Sequence, residues 1–546
     1  MSGWRRALLC CWLCCWSLPT AYALSEAEAL LGRLLLLAFE GDQAPVHALE
    51  TIEPAGFLFY PSNVRSEGQV RQLSRQLQQA SPYPLLLGID QEGGPFSSYR
   101  TAEATLFPGN MALAAASDPE LARAVAYAIG RELAYLGFNL NFAPVVDVNS
   151  NPDNPIIGVR AFSSDPQQVS LYGQAFHAGL EAAGIAAVAK HFPGHGDTAL
   201  DSHLALPRVE ASLEQLWQRE LLPFVAMVEA AVPAVMSAHV LYPALDPHYP
   251  ATLSAAALSG LLREELGFDG LIISDYMDMA AIRDHHGAGE AAVLSVLAGA
   301  DVLLLGPDPA MQQQVLASLR EALQQGRLPA ERVLAAVGRS QALAQRFPVQ
   351  FPEFAPDRAA HRALALRVAK QAVTLLHNDG ALPLPADASV TVIAPQPGGF
   401  GASGDLAAAL TSYHTGVSSL AFPNDEAALE TVLEQLDRQP PSHIVLGVYH
   451  WLGDFPAHSR RVYQALQARD SQLIVVAMGN PDSWRWLTGD TDPQAAYAPQ
   501  AYVAVYGYRA ANLEAAASLL SGYHLPQGRL PMPVGDFPRG FGQEGF

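Results

Sequence analysis

The chain has 546 residues, half of them hydrophobic and 16% charged, which excludes a disordered polypeptide and leaves room for a barrel with a companion domain. Asp and Glu number 53 against 32 Lys and Arg, a formal charge of −21 that no basic run offsets. Long-range repulsion of that sign argues against nucleic acid and anionic lipid as partners.

At the N-terminus, Arg5 and Arg6 precede a short apolar core, Ala7 to Leu18, and Ala21-Tyr22-Ala23 supplies small residues at cleavage spacing. Residues 1–23 therefore read as a secretory signal peptide. The apolar stretch is short for a transmembrane helix, so a periplasmic or secreted protein with no stable membrane insertion is expected after cleavage. An uncleaved or lipid-modified anchor is the alternative. All four cysteines, Cys10, Cys11, Cys14 and Cys15, fall inside this segment. A chain cut after Ala23 has no disulfide, no thiolate nucleophile and no cysteine-ligated zinc.

Over 24–347, short apolar runs alternate with stretches of helical period. The runs are Gly56–Tyr60, Leu85–Ile89, Leu140–Val146, Ile185–Ala189, Ala234–Ala238, Leu271–Ser274 and Val302–Leu305; the helical patterns include Asp118–Leu136, Gln167–Ala183 and Leu213–Glu229. This is the α/β pattern of a (β/α)8 TIM-type barrel. Most runs end in ionisable groups: Asp90-Gln91-Glu92, Asp147, Lys190-His191, His239 and Asp275. A barrel gathers its active site from the C-terminal ends of its strands, where these side chains collect. Helix capping and loop solvation explain one or two of them, not five. Residues 348–357, rich in Pro and Phe, read as a linker. A second α/β pattern over 358–546 has apolar runs Val390–Ile393, His443–Val448, Gln472–Val476 and Tyr502–Tyr506, with a helical stretch at Glu426–Leu436. It predicts an open-sheet α/β sandwich domain. No dinucleotide fingerprint follows its first strand, and Gly398–Gly404 reads as a loop, so no cofactor is expected.

The densest chemistry lies in KHFPGHGDTALDSH, Lys190 to His203, with His191, His195, His203, Asp197 and Asp201. A metal site is one reading, but Pro193 and the glycines break any helix that would pair the histidines. An acid/base reading asks for less. Asp201 and His203 are two apart and share a face of an extended segment. A carboxylate on one imidazole nitrogen fixes the tautomer and raises the basicity of the other. Asp275 is the candidate nucleophile, and Gly194 and Gly196 let the loop fold tightly.

This loop, with DQEGG (Asp90–Gly94), FPGNMALAA (Phe107–Ala115), NFAPVVDV (Asn141–Val148), GVRAFSSDP (Gly158–Pro166), PATLS (Pro250–Ser254) and GFDGLIISDYMDM (Gly267–Met279), resembles family-3 glycoside hydrolases, in particular the bacterial β-N-acetylglucosaminidase branch. AVTLLHNDGALPL (Ala372–Leu384) and GRLPMPV (Gly528–Val534) extend the resemblance into the second domain. It implies a retaining glycosidase acting on amino-sugar oligosaccharides, with Asp275 forming a covalent glycosyl-enzyme and His203, paired with Asp201, as acid/base. It further implies that Asp90, Arg160, Lys190 and His191 contact the sugar, with no metal. His195 and Asp197 are left to shape the loop.

One departure stands out. The family usually continues DQEGG with Arg and a second Arg a few residues on; here Pro95-Phe96-Ser97-Ser98-Tyr99-Arg100 follows. Arg100 is the candidate replacement, and the departure bears on the aglycone more than on the chemistry. Glu514 reads as a solvated helix position, not a second proton donor. Phosphorolysis is the competing activity, since a neutral His tolerates an incoming phosphate that a carboxylate repels. A β-glucosidase is disfavoured by the DSH triplet, and a non-catalytic glycan-binding protein by the presence of both nucleophile and dyad.

Overall fold

A computed structural model describes residues 22–202, 204–396, 405–450, 457–489 and 498–546. Eight parallel strands close a barrel: β1 (Leu35–Ala38), β2 (Gly56–Phe59), β3 (Leu86–Ile89), β6 (Leu140–Asn141), β7 (Ala186–Phe192), β8 (Ala234–Ser237), β9 (Leu271–Tyr276) and β10 (Val302–Leu305), with β10 beside β1. Alternate side chains divide between two environments, as a strand's period of two requires. Leu36, Leu58, Leu86, Val188, Met236, Ile273 and Leu304 share one cluster, closed by Leu343 and Phe347. Leu35, Leu37, Phe57, Phe59, Leu87 and Ile272 join the larger cluster with the surrounding helices. At the N-terminal end, the buried Asn139 amide spans β3 and the segment after the last barrel helix. It accepts from the Leu87 N–H at 2.7 Å and donates to the Leu85 and Phe347 carbonyls at 2.9 and 2.8 Å. Between β3 and β6 lies a small hairpin of β4 (Gln91–Gly93) and β5 (Phe96–Ser97).

The second domain is a six-stranded sheet in the order β11 (Thr374–Asn378), β16 (Ala501–Ala504), β15 (Gln472–Ala477), β14 (His443–Val448), β12 (Val390–Ala394) and β13 (Val417–Ala421). Five strands run parallel and β11 is an antiparallel edge. The expected open-sheet domain is present, and so is the expected barrel.

Three local readings change. The regular part of Leu140–Val146 stops at Asn141; Pro144 has no N–H to give the ladder, and only a bridge from Val145 to Lys190 continues the pairing. The stretch Leu213–Glu229 is two helices, Leu213–Gln218 and Leu221–Glu229. Pro223 forbids continuity because its ring collides with the carbonyl four residues back, at Arg219, where the chain leaves helical geometry. β1, β11 and β13 are strands that the apolar runs did not mark.

The domains share apolar packing. Met111, Ala112, Ala115 and Val159 of the barrel chain are buried in the same cluster as Leu446, Val475 and Tyr502 of the second sheet and Met532 in the segment after it. The Arg529 N–H donates to the Ala115 carbonyl at 2.9 Å, and Arg539 pairs with Asp165 at 2.9 Å. Beside the linker, buried Glu132 meets Arg358 at 2.9 Å and His361 Nδ1 at 2.6 Å.

Candidate active site

A cleft of about 290 Å³ opens at the C-terminal mouth of the barrel, and its lining brings together Asp90, Arg160, Lys190, His191 and Asp275. Tyr60, Phe96, Ile156, Ile157, Met236, Tyr276 and Leu304 give it apolar walls. The cleft is small and sets its ionisable groups among these apolar walls.

Lys190 and Arg160 are fixed by the carboxylates they meet. Lys190, near the end of β7, has its ammonium 2.7 Å from Asp90 Oδ1 and 2.8 Å from Glu92 Oε1. Arg160 donates to both Glu92 oxygens, at 3.1 and 2.8 Å, and its own backbone carbonyl accepts from Asn110 Nδ2 at 2.7 Å. Burial pushes the Glu92 carboxyl up, but Arg160 and Lys190 overcome it and hold Glu92 down at about 2. Burial likewise works against the Lys190 charge, while Asp90 and Glu92 raise it above the ordinary lysine value. Glu92 is thus a permanent anion between two permanent cations, and Asp90 is the member of the set left partly exposed.

His191 is oriented by Asp147, whose Oδ2 lies 2.7 Å from Nδ1. Asp147 Oδ1 also accepts the backbone N–H groups of His191 at 3.2 Å and His195 at 2.6 Å. Asp147 is fully buried; burial raises its carboxyl, yet the His191 contacts win and keep it below the ordinary range. A carboxylate on Nδ1 keeps the ring proton on that nitrogen, so Nε2 of the neutral His191 ring is left as an acceptor.

The rest of the loop is structural up to Ser202. His195 is buried with Nδ1 3.0 Å from Thr198 Oγ1 and Nε2 3.0 Å from Ser202 Oγ. Asn154 donates to the His195 carbonyl at 2.9 Å, and Arg219 anchors Asp197 at 2.6 Å. Gly196 is required by close approach: a Cβ there would stand 1.7 Å from the Val148 carbonyl oxygen. The shaping role expected for His195 and Asp197 agrees with these contacts. Ser202 lines the cleft, and the Asp201 carbonyl accepts the Leu204 and Ala205 N–H groups at 3.0 and 3.1 Å. His203, the expected acid/base, lies outside the described residues. Among the described residues no three His, Cys, Asp or Glu side chains gather as a set able to hold a metal ion.

Asp275 stands half-buried near the end of β9, with Oδ1 accepting the Tyr276 N–H at 2.7 Å. His239, another strand-end residue, reaches Thr252 Oγ1 at 2.8 Å and the Tyr276 carbonyl at 3.0 Å. That contact gives the PATLS segment a role in bracing the β9 end. Glu92 and Asp147 were noted as strand-end groups but not as site residues. Phe96, Tyr60 and the Ile156–Ile157 wall gave no sequence signal.

Burial pushes the His195 imidazole down to about 4, with His191 adding to the effect. An unfolded chain takes up that proton near pH 6.5 and the folded one only near 4, so acid favours unfolding across this window. The melting temperature is expected to fall as pH drops from about 6.5 towards 4, and to fall less steeply in His195→Gln. Equal slopes in the two proteins would refute it.

Acidic, cationic and imidazole groups thus converge at the C-terminal mouth of a barrel that is joined to an open-sheet domain. The chain belongs to glycosyl hydrolase family 3, whose N-terminal domain it matches over residues 30–343. It is 38% identical over 366 residues to β-hexosaminidase A of Pseudoalteromonas piscicida, covering 61% of this chain and 61% of that protein. A β-hexosaminidase of Thiobacillus denitrificans is 37% identical over 269 residues, covering 48% of this chain and 74% of the relative. The chain thus spans less than two thirds of the length of the P. piscicida protein. Among solved structures, a family-3 β-N-acetylglucosaminidase from Paenibacillus sp. str. FPU-7 superposes with a TM-score of 0.86 at 35% identity, over 92% of this chain and 98% of that one.

Proposed function

We propose that this protein is a retaining β-N-acetylhexosaminidase that removes terminal β-linked N-acetylglucosamine from peptidoglycan fragments or chitooligosaccharides. The observation that carries the reading is the convergence of Asp90, Arg160, Lys190, His191 and Asp275 on one sugar-sized cleft. Membership of family 3 and likeness to proteins named β-hexosaminidase support it. Asp90, with Lys190 behind it, and His191 through Nε2 accept hydroxyl protons of the sugar, and Arg160 donates to its oxygens. An Asp275 oxygen attacks the anomeric carbon as the glycosidic bond breaks, and His203 gives its proton to the departing oxygen. Neutral His203, held by Asp201, then takes a proton from water as water displaces Asp275 from the sugar. An imidazole near neutrality suits both half-reactions. The signal-like N-terminus supports export to the periplasm or beyond, where such glycans are turned over.

An assay of aryl β-N-acetylglucosaminide beside aryl β-glucoside, each with and without phosphate, tests the reading. Free N-acetylglucosamine released at a phosphate-independent rate is expected; sugar-1-phosphate, or preference for the glucoside, would overturn it. His203→Ala is expected to slow substrates with poor leaving groups by ~10²–10⁴-fold, and aryl glycosides with activated leaving groups far less. Equal losses on both would remove His203 from the proton-donor role.

A further inference from the structure

The second domain touches the turn of the β4–β5 hairpin beside the cleft. In the β4–β5 hairpin Gly93 pairs with Phe96 and Gln91 with Ser97, so Gly94 and Pro95 form the turn. One limb carries Glu92, which holds Arg160 and Lys190. The other carries Phe96, which lines the cleft and covers the Arg160 guanidinium at 4.3 Å from ring centre to carbon. Arg160 is therefore gripped at its edge by a carboxylate and on its face by a ring, both from one hairpin.

Arg509, just beyond β16, clasps that turn from the second domain. Its Nε donates to the Gly94 carbonyl at 3.1 Å and a terminal nitrogen to the Pro95 carbonyl at 3.4 Å. Its exposure is 1%, and a guanidinium is costly to bury unless its donors are used. Both carbonyls it uses here belong to the barrel's hairpin rather than to its own domain. On its other side the turn is packed against the FPGNMALAA segment. The Gly94 N–H donates to the Phe107 carbonyl at 2.9 Å, and a Cβ on Gly94 would stand 2.8 Å from the Gly109 Cα. With φ of +59° at Gly94, only glycine takes this place without strain. The turn is fixed between its own barrel and the second domain.

We propose that Arg509 is a positioning residue of the sugar cleft: by holding the Gly94–Pro95 turn it sets Glu92 and Phe96 about Arg160, and so couples the second domain to substrate binding without touching substrate. The inference rests on the reading of the cleft as a sugar site.

The test uses the full chain with Arg509→Met and Arg509→Lys. It reads kcat and KM on an aryl β-N-acetylglucosaminide, and amide hydrogen exchange across residues 93–98. Arg509→Met is expected to raise KM about tenfold with a much smaller change in kcat, and to speed exchange in the hairpin but not in the barrel strands. Arg509→Lys, which keeps the charge and loses the fork, is expected to recover part of both effects. A merely structural role would lower the active fraction, reducing kcat at constant KM and speeding exchange throughout; that result overturns the proposal, as does an unchanged hairpin. Should Arg509→Met fail to fold, Arg509→Lys decides alone: a raised KM supports the grip and a wild-type KM refutes it. Absence of amino-sugar hydrolysis in the unmodified chain would sink the functional reading, while the exchange data would still decide whether Arg509 holds the turn.

Discussion

Asp275→Ala is expected to abolish turnover, lowering kcat/KM by at least ~10⁴-fold, equivalent to about 5.5 kcal/mol of transition-state stabilisation. The carboxylate contributes in two ways that an alanine cannot: it supplies the attacking oxygen and it neutralises positive charge growing at the anomeric carbon. Loss of the side chain should leave the fold intact, because Asp275 is half-buried at the cleft rather than in the core. Substrate affinity should therefore survive, since Asp90, Arg160, Lys190 and His191 line the same cleft independently of it. Calorimetric titration of N-acetylglucosamine into Asp275→Ala, beside the rate assay, checks both halves. Residual activity within a hundredfold of the unmodified chain would exclude Asp275 as nucleophile.

Glu92→Gln is expected to damage both stability and activity, unlike a change at Asp90. The substitution keeps the shape and removes the charge, leaving Arg160 and Lys190 buried and facing each other. Removing one partner of a buried ion pair costs about 3–5 kcal/mol, because the other charge stays out of water without compensation. A linked loss of roughly a hundredfold in kcat/KM is expected as Arg160 leaves the cleft wall. Asp90→Asn should raise KM with little change in melting temperature, since Lys190 keeps Glu92 and Asp90 is partly solvated. Thermal melts and kinetics of the two variants side by side check the contrast. A Glu92→Gln protein as stable as Asp90→Asn would show that the three-charge cluster does not brace the site.

Why Asp90, Lys190 and Asp275 are legible in the sequence, and Glu92's role is not, follows from the barrel. Parallel strands deliver their C-terminal ends to one face, so any ionisable residue that ends an apolar run becomes a site candidate before its partners are known. Pairing is another matter. Arg160 meets Glu92 across 68 positions and His191 meets Asp147 across 44. Such contacts are set by loops and strand ends that the closed ring brings together, and nothing local in spacing announces them. The same limit explains β1: Leu35–Ala38 is buried on both faces, so it shows no alternation and cannot be told from a buried helical run. β13, Val417–Ala421, is hidden for the opposite reason, being a mostly exposed edge strand with two serines. The segment after Phe192 is legible as a loop because Pro193, Gly194 and Gly196 exclude regular structure at its start.

The apolar seam between the domains has an architectural price for the barrel. Met111, Ala112, Ala115 and Val159 complete the core of the neighbouring sheet, so a barrel excised at the linker would present them to water as a bare hydrophobic facet. The same segment, Phe107 to Ala115, buttresses the turn that carries Glu92 and Phe96. The second domain, synthesised after the barrel, therefore covers this facet and clasps that turn only once it has docked.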